Sequence, residues 1–544
     1  MKNTVYQANH SNNPVSILIS CAQKNRKENI LNNIVSDTLK EYHENRTIHL
    51  HDLEFYDIAY NCIGVSVSDL IGENNLKFTR MLRLLNRRII ELTNLQSGGI
   101  GLINFDGDVA RYLSVEEDEE ILEAFHEFFL DLNVNSRKGS EKPYVTFNFG
   151  LDISPAGRRI SYLMLKAYLM GDEHGHPLVF PNLVFKIKSG VNYEPNTINH
   201  DLLQEALSVT AKRMVPTYFN CDSSFNCEFD AATIGIMGCR TRVATNVNGK
   251  NGALNRGNVA STTINLVQLA HRADGSLKKF FILLQEVMIE VKKGLLERMN
   301  VLCQNADFTV LYEKGYYLDS SCCDSYKMLS NGTLSIGFIG LWDAIATLHK
   351  VSFLKVEDML PYRDEAYSIV AYMREFTDCA TKEEHLNFSL LASAAEGVTG
   401  RFAEYDQKCI EIAKKGFYTN SYHVPVDVNI DYFQKCDFEA PFHALCNGGS
   451  ITYIEFEEIP SGNVEAVNEV VSYAHDADCN YIGINFRMDN CCKCGYVGRI
   501  MDTCVVCGSN HIRRLRRVSG YLSEDVSFTT GKKKELSKRT SHWK

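Results

Sequence analysis

The sequence predicts an α/β fold on three observations. Several segments carry apolar residues at helical spacing, short apolar runs of strand length lie between them, and no tandem repeat or low-complexity tract points elsewhere. Residues 29–42 place Ile30, Leu31, Ile34, Val35 and Leu39 on one face, which predicts an amphipathic helix. Residues 118–132 predict another. Residues 279–303 predict a third, with Phe280, Phe281, Leu284, Val287, Met288, Val291 and Leu295. Strand-like runs fall at Tyr144 to Phe149, Leu178 to Ile187, Ser335 to Leu341, Ser450 to Phe456 and Tyr481 to Phe486. Ser393 to Gly397, after the apolar FSLLA run, reads as a strand-to-helix corner.

The chain has 544 residues, enough for a very large core. Hydrophobic residues make up 45% and charged residues 23%, the proportions of a water-soluble globular protein. No apolar run reaches the roughly 18 residues a membrane span needs. The N-terminal MKNTVYQANHSNNP lacks the apolar centre of a signal peptide, so a cytoplasmic location (the host cytoplasm for a viral chain) is expected. With no export signal, the 18 cysteines are better read as thiols, metal ligands or reactive groups than as a disulfide framework. The net charge of −10 is unevenly spread: from His511 onward, ten Lys and Arg face three acids.

Composition shifts near residue 487, where two cysteine pairs begin. Cys491 and Cys494 form one CxxC, Cys504 and Cys507 a second, and a glycine follows each (Gly495, Gly508). Two such knuckles offer four thiolates to a tetrahedral Zn2+. The doubled motif favours zinc over a redox pair or four free thiols, and a four-thiolate site is closed and therefore structural. Cys492 is out of register and is read as a non-ligand. Taken alone, a zinc ribbon followed by Arg513, Arg514, Arg516 and Arg517 suits nucleic acid. The tail is poor in stacking aromatics, however, and the acidic body would repel phosphate.

RRVSGYL, from Arg516 to Leu522, resembles the glycyl-radical loop of anaerobic (class III) ribonucleotide reductases. Other motifs resemble that family in its order: HLHD at His49, NC at Asn61, QSGG at Gln96, MGCR at Met237, RGN at Arg256, YTNSYHV at Tyr418, EAPFH at Glu439 and GGSITY at Gly448. Each motif is weak by itself; together they are specific.

The resemblance implies a ten-stranded α/β barrel of two antiparallel halves with a C-terminal zinc-binding, glycyl-radical segment. It divides the chain into an N-terminal helical segment (1–44), a catalytic barrel (45–486) and the zinc and radical segment (487–544). It implies anaerobic reduction of ribonucleoside triphosphates to deoxynucleotides for DNA synthesis. Gly520 would store the radical. Glycine suits this role because a delocalised Cα radical must be planar, and no side chain opposes flattening. Cys239, in MGCR, would become the thiyl that removes the ribose 3′-hydrogen. The 2′-hydroxyl would leave as water, with Cys62 supplying a proton and a hydrogen atom. Asn258 and Cys62 together favour formate as co-substrate, leaving as carbon dioxide, over a thiol partner.

His49, His51 and His423 would line the active site or satisfy buried hydrogen bonds. Gly448 and Gly449 would let the backbone approach substrate or form a tight turn. A helix N-terminus after Ser393 would receive the triphosphate. The sequence has no CxxxCxxC signature, so a separate radical S-adenosylmethionine activase with an iron–sulfur cluster is expected. Only about 45 residues precede HLHD, too few for the family's ATP-binding regulatory domain. The stretch between QSGG and PYVTF is short, which puts deoxynucleotide effectors and the usual homodimer in question. Rival readings are another glycyl-radical enzyme of the acyltransferase type and a zinc-ribbon nucleic-acid binder. The first usually pairs two adjacent cysteines, whereas Cys239 lies between Gly238 and Arg240.

Overall fold

The computed structural model describes residues 13–72, 75–139, 141–308, 316–318, 324–518 and 520–543. The strands, in chain order, are β1 (Ile48–Leu50), β2 (Ile63–Val65), β3 (Ile100–Leu102), β4 (Val145–Phe149), β5 (Asn182–Ile187), β6 (Thr217–Asn220), β7 (Ile236–Met237), β8 (Thr241–Arg242), β9 (Asn258–Asn265), β10 (Thr333–Ile339), β11 (Asn387–Ala392), β12 (Thr452–Glu455), β13 (Tyr481–Asn485), β14 (Met488–Cys491), β15 (Val497–Gly498), β16 (Ile512–Arg516) and β17 (Ser523–Glu524).

One sheet runs β12-β13-β6-β5-β4-β3-β2 and a second runs β1-β9-β10-β11. Strands β2 to β6 are mutually parallel. So are β9, β10 and β11, and so are β12 and β13. The β6–β13 pairing is antiparallel. Isolated bridges join the sheets edge to edge, antiparallel at Gly64–Arg256 and parallel at Leu391–Gly449. Ten strands therefore form two parallel sets of five running against each other, as expected for this barrel type. The strands are buried along almost their whole length, because helices cover the outer face.

The helix at 118–132 spans Asp118–Leu132, and the 279–303 pattern lies within Leu277–Gln304. The 29–42 segment departs from expectation. A helix Pro14–Asn33 ends there and a second, Asp37–Glu44, begins after a break. Ser36 is extended and Asp37 opens the next helix, a start signal that apolar spacing alone overlooks. The 178–187 run is strand only from Asn182, because Pro181 has no N–H for a ladder. The 335–341 run ends at Ile339, where Gly340 takes φ +75° and the helix Leu341–His349 starts.

Beyond the barrel, β14 to β17 form a separate antiparallel sheet in the order β15-β14-β16-β17. Residues 517–522 link β16 to β17. A helix, Thr530–Lys538, then packs on the helix Val398–Asp406. No described helix is long and apolar enough to cross a membrane.

Candidate active site

A cavity of about 660 Å3 opens where the two sheets meet. Cys62, Cys239, His49, His51 and Ser393 all line it, brought from three distant parts of the chain.

Cys239 sits at the tip of the β7–β8 hairpin, which enters the cavity. The sequence bends there because Gly238 adopts φ +66°. Asn148 fixes the hairpin by donating to Ile236 O (3.0 Å) and accepting from Ile236 N (2.8 Å), and Thr146 Oγ1 donates to Gly238 O (3.0 Å). Gly448 O accepts from Arg242 N (3.0 Å), and a Cβ on Gly449 (φ +133°) would collide with Arg240 O. Gly448 and Gly449 thus pack on the hairpin backbone and do not line this cavity. Burial pushes the Cys239 thiol up, against the lowering effect of Arg240, so it rests protonated.

Gly520 reaches the same point from the C-terminal end of the chain. A Cβ placed on it would collide with Glu396 Oε1 and lie 3.2 Å from Cys239 Cβ. Tyr521 follows, with its hydroxyl against Gly99 and Gly238 and its ring 5.1 Å from Tyr144. Arg539 donates to Arg517 O (3.0 Å) and to Val518 O, and Arg517 donates to Met214 O (3.1 Å).

Cys62 lies across the cavity at the β2 seam. Burial pushes its thiol up to about 12, and Cys239 adds to the shift. The Asn258 N–H points at Cys62 Sγ (3.4 Å). The Asn258 side-chain NH2 is turned away, along the sheet, to Thr333 O (3.1 Å), Thr333 Oγ1 (3.0 Å) and Ser335 Oγ (2.6 Å). Asn258 is therefore Cys62's neighbour without being among the residues lining the cavity.

His49 and His51 come from β1 and the residue after it. Arg401 donates to His49 Nδ1 (2.5 Å) and to His43 Nε2 (2.9 Å), so each ring accepts and stays neutral. Burial and then Arg401 hold His43 down at about 2 and His49 well below its usual range. Burial holds His51 at about 4, and its Nε2 bonds Thr263 Oγ1 (2.8 Å), which bonds Ser393 Oγ (2.7 Å). Ser393 opens the expected corner: β11 ends at Ala392, the helix begins at Val398, and residues 393–398 line the cavity. His423 stands elsewhere, beside a smaller cavity with Arg240 and Arg539. It bonds Glu439 Oε2 (3.2 Å), and burial lowers it to about 4.

Sequence reasoning missed Glu396, Arg401, Asp52 and Tyr521. Burial opposes ionisation of Asp52, but Arg298 and His51, with a hydrogen bond from Asn61 (2.7 Å), hold it below the usual carboxylate range. HLHD does contain Asp52, so that residue could have been flagged. The partners of the others lie too far off in sequence to leave a local pattern.

The four cysteine sulfurs of Cys491, Cys494, Cys504 and Cys507 lie within 4.8 Å of one another. Cys491 and Cys507 are 3.5 Å apart, and Cys494 and Cys504 are 3.6 Å apart. A zinc tetrahedron with bonds of about 2.3 Å sets its sulfurs about 3.8 Å apart, so the residues fit the ion. Gly495 and Gly508 take φ +74° and +69°, and their N–H groups close each knuckle onto Cys491 O and Cys504 O (both 2.9 Å). Cys492 is exposed, outside the cluster. The neighbouring arginines are engaged within the chain: Arg513 with Glu524 (2.8 Å), Arg514 with Ile500 O (2.6 Å), Arg516 with Asp489, and Arg517 as above. That leaves little free charge for a nucleic-acid backbone.

The fold is shared with the anaerobic ribonucleotide reductase of Thermotoga maritima, solved with dATP and CTP. The TM-score is 0.74 at 16% identity, over 96% of this chain and 91% of that one. In sequence, the chain is 30% identical over 461 residues to the anaerobic ribonucleoside-triphosphate reductase of Escherichia coli, covering 80% of this chain and 64% of that protein. It thus spans just under two thirds of that relative's length. It is 25% identical over 577 residues to the enzyme of Enterobacteria phage T4, covering 95% and 93%. A family model for anaerobic ribonucleoside-triphosphate reductase matches residues 7–542. The chain belongs to the anaerobic ribonucleoside-triphosphate reductase family.

Proposed function

We propose that this chain reduces ribonucleoside triphosphates to 2′-deoxyribonucleoside triphosphates without oxygen, using a radical stored on Gly520 and passed to Cys239. The observation that carries this reading is the contact between Gly520 and Cys239 at the rim of a cavity that also holds Cys62. A hydrogen atom passed from Cys239 Sγ to the Gly520 Cα would leave a thiyl on a residue that lines the cavity. The thiyl takes the 3′-hydrogen. Loss of the 2′-hydroxyl as water consumes a proton from Cys62, whose raised thiol keeps it available at neutral pH. Formate supplies the hydrogen atom for C2′ and one further electron and leaves as carbon dioxide, a proton from solvent makes up the balance, and the 3′-hydrogen returns from Cys239. The net change is one formate and one proton consumed for one water and one carbon dioxide released. Asn258 serves by steadying the Cys62 sulfur through its N–H.

The 393–398 corner and Arg401 would take the triphosphate, with His49 and His51 neutral beside it. Zn2+ on Cys491, Cys494, Cys504 and Cys507 would fix the sheet from which the Gly520 loop hangs. A radical S-adenosylmethionine activase, deoxynucleotide effectors, a homodimer and a cytoplasmic site complete the reading. The segment 487–544 would act as the radical carrier and 45–486 as the catalytic barrel.

The test is anaerobic incubation with a family activase, followed by electron paramagnetic resonance and a CTP reduction assay with and without formate. A glycyl doublet with formate-dependent dCTP formation is expected. A doublet without dCTP would transfer the protein to another glycyl-radical chemistry, and no doublet would end the radical reading.

A further inference from the structure

Arg517, Val518, Gly520 and Leu522 are buried against the barrel by non-covalent contacts. The fastening of the Gly520 loop runs through two residues to which the sequence assigned no role. Glu396 lies in the 393–398 corner, so it faces the cavity. Its Oε1 abuts Gly520, and its Oε2 accepts from Lys532 Nζ at 2.9 Å. The Lys532 side chain is only 6% exposed and that of Glu396 18%, so the pair is shielded from solvent. Lys532 lies in the first turn of the Thr530–Lys538 helix. Arg539, just past the other end of that helix, donates to the carbonyls of Arg517 and Val518, three and two residues before Gly520. The helix is therefore pinned at one end to the cavity corner and at the other to the loop. Its packing on the Val398–Asp406 helix is backbone against backbone. A Cβ on Gly531 would lie 2.7 Å from Gly400 Cα, so no side chains interlock there.

We propose that Glu396 and Lys532 form a latch, a positioning pair that seats the Gly520 loop and tightens when an anionic nucleotide occupies the corner. Phosphate charge in the cavity repels the Glu396 carboxylate toward its two other neighbours, Lys532 and Gly520. Occupancy then favours the docked loop, and by linkage the docked loop favours occupancy. An empty corner leaves the loop freer to leave, as it must for any partner to reach Gly520. That departure and the seat of the nucleotide in the corner rest on the function proposed above; the Glu396–Lys532 contact does not.

The test is hydrogen–deuterium exchange of the full chain, before any radical is made, with and without CTP. Lys532→Ala and the near-isosteric Glu396→Gln should each raise exchange of the 517–522 amides by roughly tenfold, leaving β10 unchanged. Lys532→Arg should restore protection. CTP should slow loop exchange in the wild type and lose that effect in Glu396→Gln. Loop exchange equal to wild type in Glu396→Gln overturns the latch, even if Lys532→Ala fails to fold. Equal loosening in Lys532→Arg and Lys532→Ala also overturns it. The same samples taken through activation separate the two ideas. A loosened loop with no doublet even in wild type leaves the latch standing and removes the radical. A wild-type doublet with an unloosened Glu396→Gln loop does the reverse.

Discussion

The zinc cluster and the cavity both depend on cysteine sulfur, and they are built in opposite ways. Cys491, Cys494, Cys504 and Cys507 come from one short stretch, and two glycine-closed knuckles bring their sulfurs together. Cys62, Cys239 and Gly520 come from a sheet seam, an inserted hairpin and the C-terminal tail. The first site is a property of local spacing. The second exists only when the whole barrel is assembled. The first has the geometry to hold a metal; the second keeps its thiols protonated by burial.

Four experiments would break or sharpen that contrast. The largest effect should come from Gly520→Ala, which abolishes both the paramagnetic doublet and CTP reduction. Cys239→Ser should abolish reduction while the doublet remains. Equal loss of the doublet in both variants would mean the two residues are not separate stages. Next is zinc removal by a chelator. Structural zinc in small folded units is worth about 10–16 kcal/mol in apparent terms, so the β14–β17 sheet should melt and the doublet vanish. Barrel circular dichroism should survive. A full doublet in metal-free protein would refute the dependence of the loop on the cluster.

A smaller effect concerns acid. His51 and His423 are held at about 4, His443 at about 3 and His43 at about 2, all below the usual 6.5. Between pH 6.5 and about 4 the unfolded chain binds more protons at these positions, so stability rises with pH and is lost as pH falls. Each contributes up to about 1.4 kcal/mol per pH unit within its window. Asp108, pushed up to about 6 by burial, opposes them between about 4 and 6, and burial raises Asp106, Glu297, Asp406, Asp525 and Glu535 in the same direction, which blunts the fall without reversing it. Thermal melts from pH 7 to 5 should therefore fall steadily; a flat profile would contradict buried neutral histidines. The smallest effect is expected for Cys492→Ala. Its zinc content should be unchanged and its stability within about 0.5 kcal/mol, since the side chain is exposed and outside the cluster. Loss of zinc would redraw the ligand set.

The same contrast explains what could be read from sequence. The zinc ligands were legible because their spacing is the site. Long strands such as β10 and helices such as Leu277–Gln304 were legible because they carry enough residues to show a period. The three-residue strands β1, β2 and β3 carry too few. Gly520, Cys239 and Cys62 were found by resemblance, but their meeting point was not visible in any local pattern. Glu396 and Lys532 are ordinary charged residues in sequence. Only the fold, across 136 residues, makes them a pair. Asn258 shows the opposite limit. Resemblance singled it out together with Cys62, but its contact with the Cys62 sulfur and the direction of its amide, set by Thr333 and Ser335 in the next strand, needed the fold.

The two sheets meet through single bridges rather than full ladders, at Gly64–Arg256 and Leu391–Gly449. Cys62 stands two residues from the first, and Ser393 two residues from the second. Each bridge is flanked by only a few further backbone hydrogen bonds, from the Cys62 N–H to Asn258 O (3.2 Å) at the first and from the Ala392 N–H to Gly449 O (3.0 Å) at the second. Cys62 and the 393–398 corner therefore hang from the most sparsely bonded joints of the barrel, so substitutions that weaken either seam should loosen these groups before they loosen the sheets.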